Sequence, residues 1–253
     1  MSVKKLCKTF IIDGRICNVI RNVDLSVNSG EMVAVMGPSG SGKTTLLYCI
    51  SGLDTVTAGR VVFSGKDLAD FEKREMSDFR LEQMGFIFQQ MYTLKNMSLY
   101  DNIIMPGYES KEGRTKQGRE KINIRATGLM QKMGIIDEAE NMVTEVSGGE
   151  LQRACICRSL INDPKILFAD EPTGSLNRQA SMGVMTELNR INMEGTTVCL
   201  VTHDIKVALR CERILYIDDG AIKEEYKAGK YSETENNMER EIKLNNWLMK
   251  MGW

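Results

Sequence analysis

A glycine-rich segment that ends in lysine and threonine is the part of this sequence with the clearest chemistry. Residues 37–44 read Gly-Pro-Ser-Gly-Ser-Gly-Lys-Thr, which fits the pattern GxxxxGK[ST]. The apolar run Met32–Met36 precedes the segment, and a helix-like run that ends at Gly52 follows it. In such a strand–loop–helix unit, glycines bring backbone N–H groups close to phosphate oxygens, and the helix N-terminus adds a positive dipole end. The segment therefore predicts a nucleotide-phosphate site.

Two side chains at the end of this loop supply further contacts. Lys43 is expected to reach the β- and γ-phosphates, and the Thr44 hydroxyl is expected to bind Mg²⁺. A tight glycine turn with a chance lysine is the alternative, but it does not account for the flanking strand and helix. The residues predicted to bind the nucleotide, in this segment and directly after it, are Gly37, Ser39, Gly40, Ser41, Gly42, Lys43, Thr44 and Thr45.

A pair of acids after a second apolar run indicates hydrolysis. Ile166–Ala169 is followed directly by Asp170 and Glu171. The carboxyl ends of parallel strands are where open α/β sheets bind ligands. There, Asp170 is predicted to hold the magnesium shell and Glu171 to lie where water attacks. Two solvated acids at a strand end are the alternative, and the apolar character of the strand argues against it.

Composition limits the classes of function. The 253 residues carry 33 Lys and Arg against 34 Asp and Glu, so no basic excess indicates nucleic acid as a partner. No apolar run is longer than Leu46–Ile50, which is far shorter than the roughly 20 residues of a membrane-spanning helix. No signal-like stretch is present, so we expect a cytosolic protein. Seven cysteines without CxxC spacing predict reduced, buried thiols, and a single histidine excludes a multi-histidine metal site.

Apolar patterning predicts the elements that position these motifs. Alternation up to the turn at residues 28–30, with Val19, Val23 and Leu25 on one face, predicts an antiparallel β-layer. Because helical stretches separate the later apolar runs, we expect a largely parallel α/β sheet. These later strands are predicted at Val61–Phe63, Gly85–Phe88, Ile166–Ala169, Val198–Val201 and Ile214–Ile217.

The remaining segments read as helical. Residues 96–160 contain no strand-like run and predict a helical subdomain inserted into the core. Near the C-terminus, Leu244, Trp247, Leu248 and Met251 fall at helical spacing, a stripe expected to pack on its own domain, with a partner surface as the alternative. The predicted organisation is a single domain over 1–253, made of a β-layer and core (1–95 and 161–225), a helical subdomain (96–160) and a helical tail (226–253).

An ordered set of motifs gives a family resemblance. Val146–Arg153 reads Val-Ser-Gly-Gly-Glu-Leu-Gln-Arg and resembles the signature of ATP-binding cassette (ABC) ATPases. Gln89, which ends Gly-Phe-Ile-Phe-Gln, resembles the Q-loop, and His203 in Val-Thr-His-Asp resembles the switch histidine. The resemblance implies an α/β P-loop NTPase core with an N-terminal antiparallel β-layer and an inserted helical subdomain. It also implies that Glu171, His203 and Gln89 are catalytic, and that Thr44, Gln89 and Asp170 bind Mg²⁺.

The signature implies a pair of subunits. Ser147 and Glu150 fit a capping box, so the segment has a purely structural interpretation as a helix start. In the family, this helix N-terminus closes on the γ-phosphate that the other subunit holds, and the implied residues are Ser147, Gly148, Gly149 and Glu150. The chain is therefore expected to pair head to tail with a second copy of itself around two ATP molecules.

Two single positions carry further implications. Phe10 stands where the family has an aromatic residue that stacks on adenine, and a buried strand phenylalanine is the alternative. Asn177, in Gly-Ser-Leu-Asn, stands where the resembling D-loop usually has aspartate. The amide keeps an acceptor oxygen and loses the negative charge. The replacement therefore bears on how the two ATP sites of the pair communicate.

The motifs together resemble the group of macrolide-export, lipoprotein-release and bacitracin-type peptide-resistance ATPases. Residues 247–253 are similar to tails of peptide-resistance members. The group implies an ATPase at the cytoplasmic face of a bacterial plasma membrane, bound to a separate permease and serving antimicrobial-peptide export or resistance. Lipoprotein release and cell-division regulation are the alternatives within the family. Candidates for an apolar permease dock, with core packing as an equal alternative, are Met91, Tyr92, Leu94 and Met97.

Two other classes of protein share part of this pattern. A DNA-maintenance ATPase would need a long coiled coil between the P-loop and the signature, and no heptad run is present. A nucleotide kinase would transfer phosphate to a small acceptor, but it would not need the signature glycines or His203.

Overall fold

The computed structural model describes residues 1–232 and 237–253, so residues 233–236 of the predicted tail lie outside the described part. The chain divides into two compact units, residues 1–76 with 192–253 and residues 77–191. The first unit contains β1 (Ser2–Ile12), β2 (Arg15–Ser26), β3 (Met32–Met36), α1 (Lys43–Ile50), β4 (Ala58–Phe63), β5 (Lys66–Asp67), β8 (Thr197–Val201), α7 (Ile205–Ala208), β9 (Arg213–Asp218), β10 (Ala221–Lys227) and α8 (Asn237–Lys250). The second contains β6 (Met84–Ile87), α3 (Leu99–Glu109), α4 (Lys116–Lys132), α5 (Gly148–Leu160), β7 (Ile166–Asp170) and most of α6 (Arg178–Met193), and α2 (Lys73–Gln83) begins in the first unit and ends in the second.

The predicted antiparallel β-layer is confirmed. β1 and β2 form a long hairpin, β4 pairs with the other edge of β1, and β5 pairs with β4. The prediction placed Val61–Phe63 in the parallel sheet, and this was wrong because β4 pairs antiparallel with β1 in the register Val3 to Val61. A short apolar run does not by itself reveal which strand it will pair with.

The alternation predicted for β2 breaks at one place. Val23 and Leu25 are buried as expected, but Ile20 is buried instead of Val19. The pairing of β1 with β2 shifts register on both sides of the Lys8 to Ile20 pair. Such a β-bulge inserts an extra residue and moves the inward-facing position by one.

Parallel strands form the core of each unit. In the first unit β3 lies between β8 and β9 and is parallel to both, and β10 adds an antiparallel edge to β9. In the second unit β6 and β7 pair in parallel. Every residue of β3, β7 and β8 is buried, which explains their continuous apolar runs. β10 was not predicted because its sequence is largely polar and half-exposed.

Side-chain caps begin the helices of the second unit. The Ser98 hydroxyl accepts a hydrogen bond from the Asp101 N–H at the start of α3, and the Thr115 hydroxyl accepts one from the Gly118 N–H at the start of α4. These caps satisfy N–H groups that a helix start leaves open. Helices thus occupy most of residues 96–160, as the sequence predicted.

The C-terminal helix α8 packs on its own unit. Leu244 and Leu248 are buried, and the Trp247 ring packs on Tyr226 and donates a hydrogen bond of 2.6 Å to Glu224. The predicted apolar stripe is therefore confirmed as an internal contact. Within residues 1–232 and 237–253, no helix has the length and apolar character that crossing a bilayer requires.

A buried ion cluster links the β-layer to the parallel strands of the first unit. The Arg213 guanidinium on β9 donates to Glu31 at 2.5 Å, to Glu225 at 2.9 Å and to the carbonyl oxygen of Ser26 at 2.5 Å. Arg213 and Glu31 are each only 8% exposed. Because both side chains are removed from water, the attraction between the two charges must offset the cost of desolvating each of them.

Arg213→Met is expected to lower the free energy of unfolding by about 3–5 kcal/mol, because it leaves Glu31 buried without a cation. Chemical denaturation measures the loss, and the double variant Arg213→Met/Glu31→Gln should recover part of it. Arg21→Met is the matched control, since its ion pair with Asp219 is exposed and should contribute less than about 1 kcal/mol. Equal losses in both single variants would contradict this account.

Candidate functional site

The glycine-rich loop of the first unit has a backbone that only glycine can adopt at two points. Gly37 has φ +155, and a Cβ there would lie 1.9 Å from the carbonyl oxygen of Ile217 on β9. Gly42 has φ +98, and a Cβ there would lie 2.9 Å from the carbonyl oxygen of Val19. Both glycines therefore permit close backbone approach and positive φ, as a phosphate-binding loop requires.

The polar groups of this loop fit a bound triphosphate. The Lys43 ammonium donates to the carbonyl oxygens of Gly37 at 2.9 Å and Pro38 at 2.8 Å, which holds it against the loop. Helix α1 begins at Lys43 after Gly42, and no side chain caps it. Among the described residues, the hydroxyl of Ser41 is buried and has no hydrogen-bond partner. A phosphate oxygen is a suitable partner for such unsatisfied donors.

The switch-like histidine emerges next to this loop. β3 and β8 are parallel neighbours, with Val35 paired to Val201, and the Thr202 N–H donates to the Val35 carbonyl oxygen. β3 leads into the phosphate loop, and β8 leads into His203, which is exposed. Parallel pairing thus delivers His203 to the edge of the sheet from which the loop begins.

Phe10 lies in β1, near the tip of the hairpin. Its ring is half-buried, and its cross-strand partner is the exposed residue Cys17. A fully buried strand phenylalanine, the structural alternative, is therefore not what is observed. The ring retains exposed surface of the kind that a stacking partner would cover.

The acidic motif of the second unit lies at the ends of a parallel strand pair. Ile87 of β6 pairs with Ala169 of β7, so Gln89 and the two acids leave the same edge of this pair. Asp170 is 4% exposed at the end of β7. Glu171 has φ +47, a left-handed conformation that costs free energy in a non-glycine residue and turns the chain sharply away from the strand. The structure thus places Gln89, Asp170 and Glu171 at adjacent strand ends.

The signature segment begins helix α5 with the predicted capping box. The Ser147 hydroxyl accepts from the Glu150 N–H at 3.3 Å, and the Glu150 carboxylate accepts from the Ser147 N–H at 2.8 Å. The hydrogen bond from the Ser147 backbone, together with that from its hydroxyl, lowers the pKa of Glu150. Ser147 and Gly148 are exposed, so the N-terminus of α5 is open to an anion.

Helix α5 packs on the start of α6 and on the loop that follows the catalytic acid candidate. A Cβ on Gly149 would lie 3.2 Å from Cβ of Ala180, and the Gln152 amide donates a 2.8 Å hydrogen bond to the carbonyl oxygen of Pro172. Gln152 is only 2% exposed. The sequence does not reveal this contact, because Gln152 stands beside Arg153 in a polar part of α5 and nothing local marks it as buried.

Asn177 caps the following helix. Its side-chain oxygen accepts a 2.9 Å hydrogen bond from the Ala180 N–H at the start of α6. Asparagine and aspartate serve equally well as N-caps, so the replacement of the usual aspartate preserves this local geometry.

The candidate permease dock is only partly apolar core. Tyr92 is 64% exposed and Leu94 is 46% exposed, whereas Met91 and Met97 are half-buried. The Arg158 guanidinium of α5 donates to the carbonyl oxygens of Met91 at 2.7 Å and Tyr92 at 2.9 Å, which fixes the loop. Core packing therefore does not explain Tyr92 or Leu94.

The cysteines do not form a metal site in the part of the chain that the structure describes. No group of three or more His, Cys, Asp or Glu residues is arranged to hold a metal ion there. Cys155 and Cys157 are both buried, and burial raises the pKa of the Cys157 thiol to about 12. The prediction of buried, reduced thiols is confirmed for five of the seven, whereas Cys7 is half-buried and Cys17 exposed.

Comparison with known proteins agrees with these motifs. A sequence model of the ABC transporter family matches residues 20–174. The chain is 37% identical over 215 residues to the uncharacterised ABC transporter ATP-binding protein YknY of Bacillus subtilis, covering 85% of this chain and 91% of YknY. It is 42% identical over 209 residues to the macrolide export ATP-binding/permease protein MacB of Syntrophobacter fumaroxidans, covering 82% of this chain but 29% of MacB.

Solved structures give the same result. The ATP-binding cassette MJ0796, solved as a dimer in a post-hydrolysis state bound to ADP and Pi, superimposes with a TM-score of 0.81 at 33% identity. A second dimeric structure of the same cassette gives a TM-score of 0.83 at 34% identity. Each comparison covers 91% of this chain and 99% of the other, so nearly the whole cassette is matched.

Asn177→Ala is expected to lower the free energy of unfolding by about 0.5–2 kcal/mol through the lost cap, whereas Asn177→Asp should leave it unchanged. Urea denaturation measures the free energy of unfolding of both variants against the wild type. Thr115→Ala, which removes the cap of α4 away from all motifs, is the matched control for a lost cap. A stable Asn177→Ala, or a destabilised Asn177→Asp, would show that the side chain has another role.

Proposed function

Because the chain belongs to the ABC transporter family of ATPases, we propose that it powers a membrane permease carried on a separate chain. The phosphate loop is the observation that carries the ATPase chemistry, because its glycines, Lys43 and the unsatisfied Ser41 hydroxyl fit a triphosphate. YknY, matched over 91% of its length, is named an ATP-binding protein. MacB proteins are named ATP-binding/permease proteins, and the chain spans only about a third of their length. The chain thus corresponds to the ATP-binding part.

The proposed chemistry divides among a few side chains. Lys43 and the N–H groups of the loop bind the phosphates, while Phe10 stacks on the base. Magnesium, when bound, neutralises charge on the phosphate oxygens, and Thr44, Gln89 and Asp170 are its proposed ligands. Glu171 orients and deprotonates the attacking water, and His203 stabilises the γ-phosphate end.

The signature helix needs a second subunit in this proposal. The exposed N-terminus of α5 presents the N–H groups of Gly148 and Gly149 to an anion. The MJ0796 cassette, to which this chain is similar, is dimeric. A head-to-tail pair would place each signature on the γ-phosphate bound by the partner subunit.

The permease would dock on the loop after Gln89. Tyr92 and Leu94 have exposed side chains. Arg158 holds the backbone of Tyr92, and Asn102 holds that of Leu94. A loop fixed in this way can transmit a displacement of Gln89 to a docked element, which a flexible loop could not. Docking would keep the ATPase at the cytoplasmic face of the membrane.

For the transported class, we favour antimicrobial peptides of the bacitracin type, for export or resistance. The support is the set of motifs shared with the group and the tail over residues 247–253. Macrolide export appears in the names of several relatives. Lipoprotein release and cell-division regulation are the alternative functions in the same group.

The ATPase assignment predicts phosphate release from ATP without any acceptor. Lys43→Ala should abolish ATP binding, whereas Glu171→Gln should keep binding and lower the hydrolysis rate roughly 100-fold or more. The exposed residue Glu140 provides a control, since Glu140→Gln should hydrolyse ATP at the wild-type rate. A phosphate-release assay compares the hydrolysis rates of these three variants with that of the wild type. Phosphate transfer only in the presence of a small acceptor would instead identify a kinase.

The peptide assignment predicts coupling in vesicles that hold the permease and this subunit. Added bacitracin should raise the rate of ATP hydrolysis above that of peptide-free vesicles, and the Lys43→Ala variant should show no increase. Vesicles that respond to a macrolide or a lipoprotein but not to bacitracin would contradict the peptide class while leaving the ATPase intact.

A further inference from the structure

A buried lysine lies against the ring that we assign to adenine stacking. Lys8 is 7% exposed, and lysine is rarely so buried unless its charge is paired. Its ammonium lies 2.7 Å from the Asp54 carboxylate and donates a second hydrogen bond, also 2.7 Å, to the carbonyl oxygen of Thr55. The same ammonium lies 4.7 Å from the centroid of the Phe10 ring, which is within the range of a cation–π interaction.

This arrangement joins two parts of the proposed nucleotide site. Lys8 and Phe10 are two residues apart on β1, so both side chains leave the same face of the strand. Asp54 and Thr55 follow the C-terminal end of α1, the helix whose N-terminus forms the phosphate loop. Lys8 therefore connects the base end of the site, on the β-layer, to the helix that serves the phosphate end.

The ammonium has two physical effects on the ring. Two hydrogen bonds of 2.7 Å, to Asp54 and Thr55, fix the ammonium, so the ring that packs on it loses rotational freedom before any ligand arrives. A cation on one face also draws π-electron density toward itself, which reduces the repulsion between the other face and the π-system of a stacked purine.

We propose that Lys8 is a positioning residue for base recognition, holding and polarising the Phe10 ring for the adenine of ATP. The inference rests on the proposed function, because it assumes that Phe10 contacts the base. It adds that the recognition of the base depends on a buried cation that touches no part of the nucleotide.

A comparison of two ligands isolates the base. Lys8→Met keeps the apolar stem and removes the charge, so the Kd for ATP with Mg²⁺ should rise roughly 3- to 30-fold. The Kd for inorganic tripolyphosphate, which has no base, should stay within about twofold of the wild type. Lys8→Arg keeps a cation over the ring and should restore most of the ATP affinity. Isothermal titration calorimetry measures all these affinities.

A merely structural role for Lys8 would give a different pattern. If loss of the ion pair disturbed α1, ATP and tripolyphosphate would weaken equally, and that result would overturn the proposal. Lys8→Gln keeps hydrogen-bond donors near Asp54, so it serves as the second uncharged variant if Lys8→Met does not fold. In a Phe10→Leu background, Lys8→Met should have no further effect on ATP, because its action passes through the ring. Additive losses would contradict this.

The exposed thiol beside Phe10 reports where the base lies. Cys17 is the cross-strand partner of Phe10, so a base on the ring should shield it from N-ethylmaleimide. Trypsin releases it in the peptide of residues 16–21, which contains no other cysteine. ATP should protect this peptide and tripolyphosphate should not. Protection by ATP with unchanged affinity in Lys8→Met would refute only the role of Lys8, whereas a wild type that neither binds nor hydrolyses ATP would refute the proposed function.

Discussion

The approach of the phosphate loop to the end of β9 is the constraint on which the site depends. The Cα of Gly37 lies so close to the carbonyl oxygen of Ile217 that any side chain would occupy the same space. This closeness is possible only because β3 and β9 are paired in parallel and in register, with Met36 opposite Tyr216. The same sheet edge carries His203, which follows β8. The loop, the histidine and the helix α1 are thus positioned by one set of buried strands.

The sequence revealed the features that depend on local spacing. The apolar run of β3, the glycine loop, the helix start at Lys43 and the capping box of Ser147 with Glu150 all lie where the residues predicted. Each of these is determined by residues a few positions apart, so a single sequence contains the information.

Other features depend on pairing between distant segments and were missed or misassigned. β4 joins the antiparallel layer because it pairs with β1 more than fifty residues away, and the bulge at Ile20 arises from the same kind of pairing. The contact of Lys8 with Asp54 spans 46 positions, and that of Gln152 with Pro172 spans 20. Periodicity is a local property and does not contain such pairings. The two buried side chains nevertheless contact the segments that carry the proposed chemistry.

We propose that two copies of this chain close around ATP, and the mass of a hydrolysis-deficient variant decides whether they do. Light scattering on Glu171→Gln should give the 28.5 kDa mass of one chain without nucleotide and twice that mass with ATP and Mg²⁺. Closure would also show that Asn177 is compatible with pairing. A monomer at saturating ATP, both in Glu171→Gln and in Glu171→Gln/Asn177→Asp, would contradict closure of two copies around ATP.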